Sequence, residues 1–296
     1  MGNENMLEIK QLNKSFKKKQ ILKEINFSVN KGECLAIIGP NGTGKSVLIS
    51  CLLGEYPLTE GEIKIKGKML NAKALKNVSV LLQETFVEKR LKVSELITIE
   101  RYLASTPLTL KEIHALLQFS DKELNQFAEN LSGGKKRFLS FILLLIKQPD
   151  IIFLDEPTTG MDTSTRIYFW KIIEELKQKG KTIIYTTHYI EEVEETANRI
   201  LILHKGAIIK DTTPYLLKQE GKEKIFTLPL IYLSLFDEEK LPQLEKKHDC
   251  FSFISDKPEE TWKDLMAKDV LISDIEMTNH SLLDHIFLTE RDLEND

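Results

Sequence analysis

Eight residues constrain the fold of this chain more than any others: GPNGTGKS, Gly39 to Ser46. They follow the unbroken apolar run ECLAIIG (33–39), which reads as a strand buried on both faces. They open a helical pattern, KSVLISCLLG, with Gly54 as its stop. Every fixed position of G-x-x-x-x-G-K-[ST] is matched. The glycines let the backbone curl so that successive N–H groups face inward on phosphate oxygens. Lys45 then places a point charge on the β- and γ-phosphates, and the Ser46 hydroxyl faces Mg²⁺. The competing reading is a glycine-rich turn without a ligand. The strand before it and the helix after it weigh against that reading.

A second stretch, IIFLDEP (151–157), complements the first. Four apolar residues bury a strand, and two carboxylates stand at its C-terminal end, where parallel sheets place ligands. Asp155 is the candidate Mg²⁺ holder, through water, and Glu156 the candidate general base for an attacking water. An acidic pair capping the next helix is the alternative. No guanine-reading N-K-x-D follows the phosphate loop. Phe16 offers an aromatic face for adenine, or is equally a core residue of the first hairpin.

Composition narrows the class. The net charge of −4 gives no basic excess of the kind nucleic-acid binders carry. Cys34, Cys51 and Cys250 are widely spaced, without a CxxC pair, which suits a reducing compartment. MGNENMLEIK has no apolar h-region of a secretory signal. The longest nearly uncharged apolar stretch, FLSFILLLI (138–146), is far short of the roughly 20 residues needed to span a bilayer.

The order of patterns predicts an α/β fold with a mainly parallel sheet. LEIKQLNKSF (7–16) and ILKEINFSVN (21–30) read as antiparallel strands, GEIKIKGKML (61–70) as one more and VSVLLQ (78–83) as a short buried one. Residues 84–147 read as a mostly helical insertion ending in an apolar helix stopped by Pro149. Strands IIFLDEP and TIIYTTH (182–188) flank a helix over 165–180, and RILILHKGAIIKD (199–211) reads as a hairpin turning at Lys205-Gly206. Residues 1–211 therefore form one expected domain, and 212–296 a separate small α+β unit. In that unit KIFTLPL, DCFSFIS and VLISDIEM are expected strands, alternating with helices DEEKLPQLEKK, PEETWKDLMAKD and SLLDHIFL. It carries no catalytic constellation; His248 and His280 are isolated and Cys250 is unpaired.

Six motifs, in order over residues 6–210, resemble the ATP-binding cassette (ABC) family of transporter ATPases. They are GPNGTGKS with the following Val47, LLQET, LSGGKKR (131–137), LDEPTTGMD, and TTHYIEEVE, with KVSELI looking like the start of the family's helical subdomain. The resemblance implies a P-loop core with an N-terminal antiparallel β-subdomain. It implies ATP bound by Phe16, Gly39, Pro40, Asn41, Gly42, Thr43, Gly44, Lys45, Ser46 and Val47, with Mg²⁺ held by Ser46, Gln83 and Asp155. Glu156, His188 and Lys45 would be catalytic; for His188 the alternative is an ordinary histidine at a strand end.

In this family two cassettes associate head to tail, so Ser132, Gly133, Gly134 and Asp162 would serve a nucleotide shared with a second copy. A separately encoded polytopic permease would complete the transporter, at the cytoplasmic face of the membrane, with no nucleic-acid partner. TTGMDTSTRIYFW, THYIEEVEETANRI and SLLDHIFLTERDL look like the drug- and peptide-export branch. The alternative is a soluble ABC-type ATPase with a regulatory or immunity role. Two departures stand out. Lys135 takes the place of the usual signature Gln, and the Arg common three residues further on is Phe138, with Arg137 one position earlier.

Overall fold

A computed structural model describes residues 4–83, 88, 90–219 and 223–279. The chain divides into two compact units, Met1–Thr212 and Thr213–Asp296. The first begins with strands β1 (Asn5–Phe16), β2 (Lys19–Asn30) and β3 (Cys34–Ile38), then helix α1 (Lys45–Leu52). Strands β4 (Glu60–Ile65) and β5 (Lys68–Met69) return beside β1, giving an antiparallel sheet of order β2-β1-β4-β5. The single strand expected over 61–70 is thus a hairpin. Lys66 and Gly67 both take positive φ, 48° and 70°, the conformation of a tight two-residue turn.

Strand β6 (Val78–Leu81) leads to helices α2 (Val93–Leu103), α3 (Leu110–Leu117), α4 (Asp121–Asn125) and α5 (Gly133–Leu145). Residues 84–87 and 89 of the expected helical insertion lie outside the described residues. Capping boxes start α3 and α4: Thr109 pairs with Glu112, and Ser120 with Glu123. The helix around the apolar run begins five residues earlier than the run itself, because the Ser132 hydroxyl caps it. Gly133 and Gly134 therefore lie in its first turn. Strand β7 (Ile151–Asp155), helix α6 (Thr163–Gln178), strand β8 (Thr182–Thr187), helix α7 (Ile190–Thr196) and the hairpin β9 (Arg199–His204) and β10 (Ala207–Thr212) complete the unit.

The central sheet has order β10-β9-β3-β8-β7-β6. All its neighbours pair in parallel except the edge pair β9–β10. Every residue of β3, β7 and β8 is buried, as continuous apolar runs require when both faces are covered. One core joins β1, β2, β4, α1 and the sheet through residues such as Leu7, Leu12, Leu48, Leu52 and Phe153. Elsewhere a run of aromatic contacts fixes α5 to α6 and α6 to β8. The ring centroids of Phe141 and Phe169 lie 4.4 Å apart, of Phe169 and Trp170 5.1 Å, and of Trp170 and Tyr185 5.0 Å.

The second unit contains α8 (Pro214–Gln219), β11 (Lys224–Pro229), β12 (Glu245–Lys246), β13 (Cys250–Ser255), α9 (Pro258–Ala267) and β14 (Glu276–Asn279). Its sheet, β12-β13-β11-β14, is antiparallel throughout. Phe226, Leu228, Phe251 and Phe253 bury one face with Leu265 of α9. The helix expected over DEEKLPQLEKK is replaced by a short 3₁₀ turn and the two-residue strand β12. Pro242 in its middle has no N–H for a helix, and its carbonyl instead accepts from Ile254 N at 3.0 Å. VLISDIEM is a strand only at its end. The helix expected over SLLDHIFL, and His280, lie outside the described residues.

Phe169 and Ile167 share α6, yet Phe169 is fully buried and Ile167 is exposed. Phe169→Ala should cost about 3–5 kcal/mol and Ile167→Ala less than about 0.5 kcal/mol in chemical denaturation of the full chain.

Candidate nucleotide site

Register builds the site. Ile38 of β3 lies opposite Thr187 of β8, Asp155 of β7 opposite Thr186, and Leu81 of β6 opposite Leu154. Continuing each pairing by a residue or two brings Gly39, His188, Glu156 and Gln83 to the same C-terminal edge of the sheet.

At Gly39 the chain passes so close to β9 that a methyl group there would collide with the carbonyl oxygen of Leu203. The loop then curls through Pro40, Asn41, Gly42, Thr43 and Gly44 into α1. Thr43 Oγ1 donates to Pro40 O at 2.9 Å. Lys45 is buried, and its ammonium donates to the carbonyls of Gly39 (2.6 Å) and Pro40 (2.9 Å). The cation sits within its own loop. Ser46 is exposed at the start of α1 and Val47 is half-buried.

Asp155 is buried, and the Thr186 hydroxyl donates to its Oδ1. The same hydroxyl accepts from Glu156 N at 3.0 Å. Glu156 adopts φ of +46°, a conformation that costs a non-glycine residue of order 1–3 kcal/mol. Its two carboxylate oxygens are held apart. Oε1 lies 3.3 Å from Nδ1 of His188, and Oε2 accepts from the Gln83 amide at 3.3 Å. Two residues that the sequence singled out separately, Gln83 and His188, thus converge on the carboxylate of a third. The oxygen donors of Ser46, Asp155 and Gln83 have the hard chemistry that Mg²⁺ requires.

The remaining expected residues lie in two other places. Phe16 is edge-on to Tyr56, centroids 5.2 Å apart, with the Lys14 ammonium 4.5 Å over its ring. It is half-exposed on β1, not a core residue of the hairpin. Ser132 and Gly133 are exposed at the start of α5, while Gly134 is buried. A Cβ on Gly134 would lie 2.7 Å from Gly160 O, so only glycine lets this turn rest on the loop before Asp162. Asp162 caps α6, and hydrogen bonds from Ser164 and Thr165 hold its carboxyl well below the usual range. Lys135 forms an ion pair with Glu123, and its ammonium lies 5.8 Å from the Phe119 ring centroid. The Lys135 hydrogen bond, helped by the N–H and O–H of Ser120, lowers the Glu123 carboxyl to about 2.

Sequence reasoning passed over Thr186 and Glu192, and read Arg137 only as a family arginine displaced by one position. Glu192 is buried on α7 and accepts from Thr158 (2.8 Å) and Thr187 (3.3 Å). It thereby ties the loop after Glu156 to the residue before His188. Its only sequence signal was a place in the TTHYIEEVE segment.

Residues 22–159 match the family model described as ABC transporter. The chain is 35% identical over 221 residues to the Nod factor export ATP-binding protein I of Rhizobium sp. (strain N33), covering 72% of this chain and 73% of that protein. The chain belongs to the ABC transporter family. The cassette is an ATP-binding and ATP-hydrolysing one. The protein of the same name from Bradyrhizobium diazoefficiens is 34% identical over 222 residues, 72% of each chain. Among solved structures, a dimeric post-hydrolysis ATP-binding cassette bound to ADP and Pi superposes with TM-score 0.63 at 23% identity. That match covers 71% of this chain and 99% of the other, and it bears on the fold alone. Among the described residues of the cassette, no helix is long and apolar enough to cross a membrane.

Thr186→Val keeps the side-chain shape but strips the hydroxyl shared by Asp155 and Glu156. It should destabilise the cassette by about 1–3 kcal/mol and lower steady-state ATP hydrolysis by about 10–100-fold. The Glu123 carboxyl, lowered in the fold, adds stability above its unfolded value of about 4.5 and loses it as pH falls towards 2. The melting-temperature gap between wild type and Glu123→Gln should therefore be constant near neutrality and close below about pH 4.5.

Proposed function

We propose that this cassette powers export through a separate polytopic permease, as one of two copies joined head to tail with ATP between them. The observation that carries the hydrolytic site is the convergence of Gln83 and His188 on Glu156, at the strand edge where the phosphate loop begins. Support for export comes from relatives named for Nod factor export. The cytoplasmic face of the membrane is the corresponding location.

In this reading the amides of residues 39–46 and the Lys45 ammonium receive the β- and γ-phosphates. Lys45 trades its neutral carbonyl partners for anionic phosphate oxygens, a stronger bond between opposite charges. Ser46, Asp155 and Gln83 would hold Mg²⁺, which, when bound, offsets the charge building on the phosphate oxygens. Glu156 accepts a proton from water as that water's oxygen attacks the γ-phosphorus and the bond to ADP breaks. His188 and Gln83 keep the carboxylate aimed, one on each oxygen. Phe16 gives adenine a stacking face, already flanked by Tyr56. From the second copy, Ser132 and the amides of Gly133 and Gly134 reach the γ-phosphate at the positive end of α5, with Asp162 beside them.

Glu156→Gln removes the base and keeps the shape. It should lower hydrolysis at least about 100-fold while retaining ATP-dependent dimers, read by size-exclusion chromatography with light scattering. Turnover equal to wild type would refute the assignment of Glu156.

A further inference from the structure

Arg137 has no role in the reading above, yet its side chain lies in the middle of that site. It is a buried cation, 4% exposed, on the second turn of α5. Its guanidinium spans two strand ends. Nη1 donates to the carbonyls of Leu82 and Gln83, the latter at 2.8 Å, just past β6. Nη2 donates to Asp155 O (2.6 Å) and Glu156 O (3.2 Å), and Nε to Pro157 O (3.2 Å), at the end of β7. These carbonyls lie at or beyond the last pairing of β6 with β7, Leu81 with Leu154, so the ladder no longer bridges the two segments. A planar fork with donors fixed at both ends bridges them instead.

Burial works against the charge on Arg137, while Asp155 and Glu156 favour it. A cation buried at that cost, donating to main-chain oxygens of the two segments that carry the Gln83 and Glu156 side chains, fixes where those side chains start. Five residues earlier on the same helix is Ser132.

We propose that Arg137 is a positioning residue for ATP hydrolysis, clamping the main chains of Gln83 and Glu156 together and tying them to the helix whose first turn faces the neighbouring copy. The inference rests on Glu156 as the base. The described hydrogen bonds of Arg137 go to main-chain oxygens past β6 and at the end of β7, and none of them to residues 39–46 or Phe16, so kcat should depend on it far more than ATP affinity does.

The test compares Arg137→Gln and Arg137→Lys with wild type and Glu156→Gln, all in the full chain. Melting temperature, ATP affinity by equilibrium dialysis, and kcat and KM for ATP are measured. Arg137→Gln should lower kcat by about 100-fold, the scale for slight misplacement of reacting groups, with ATP affinity within about threefold of wild type. Arg137→Lys keeps the charge but puts a compact three-donor head in place of the planar five-donor fork, so it reaches fewer of the five carbonyls and holds the two segments less firmly. Its kcat should fall between the two, at a melting temperature near wild type. This variant keeps the test open where Arg137→Gln does not fold. Wild-type kcat in Arg137→Lys, or loss of ATP affinity in step with kcat, would overturn the clamp. If Glu156→Gln is inactive while the Arg137 variants keep full kcat, the clamp alone fails. If Glu156→Gln is itself fully active, the reading of the site fails first.

Discussion

The parallel pairing of β3, β8, β7 and β6 is the constraint on which the rest depends. It joins four segments distant in sequence, and its register decides what stands at the sheet's C-terminal edge. A slip of one residue in a strand turns every side chain to the other face. Such a slip in β7 would take Asp155 away from the Thr186 hydroxyl and carry Glu156 from between Gln83 and His188. Full burial of β3, β7 and β8 makes the slip costly, since each buried apolar side chain is worth roughly 1.5–3 kcal/mol. The hydrophobic pattern and the chemistry are thus set by the same residues.

Glu156 carries backbone strain at this edge. Its positive φ turns the chain sharply after β7. The turn persists because its main chain is held on both sides: the N–H by Thr186, the carbonyl by Arg137. With the backbone pinned, the carboxylate can rest between two partners 3.3 Å away on either side. Those contacts are long for charge-assisted hydrogen bonds, which are commonly about 2.7–2.9 Å. Room is left for the carboxylate to shift towards a water without breaking the frame behind it.

What could be read from the sequence was local. The phosphate loop, the acidic pair at a strand end and the helix stops at Gly54 and Pro149 are short-range patterns with direct physical causes. All the strands of the first unit were foreseen, although the Lys66-Gly67 turn divided one of them. The convergence on Glu156 needed tertiary structure: Gln83 lies 73 residues away and His188 32. Arg137 was harder still. In sequence it looked like a family arginine displaced by one position, whereas on the helix one position is a rotation of about 100°. That rotation sends Arg137 into the carbonyls just past β6 and at the end of β7 and leaves Phe138 to pack against Phe141 and Tyr168. In the second unit the pattern suggested alternating helices and strands. Pro242 and the pairing of β14 with β11 made an antiparallel sheet instead.

In the proposed head-to-tail pair, Lys135 bears on what α5 would offer the other copy's nucleotide. At the family's glutamine position a lysine adds a positive charge close to where a phosphate would bind. The ammonium is turned back onto Glu123, a residue already fixed by capping α4. Glu123 serves Ser120 through one oxygen and Lys135 through the other. The charge is therefore largely matched within the same helical subdomain, and the ion pair braces α4 against the first turn of α5. What remains at the exposed start of α5 is Ser132, whose hydroxyl oxygen caps the helix, Gly133 and the helix dipole. These are the groups a glutamine at position 135 would leave in place, so the substitution alters how the turn is held more than what it presents.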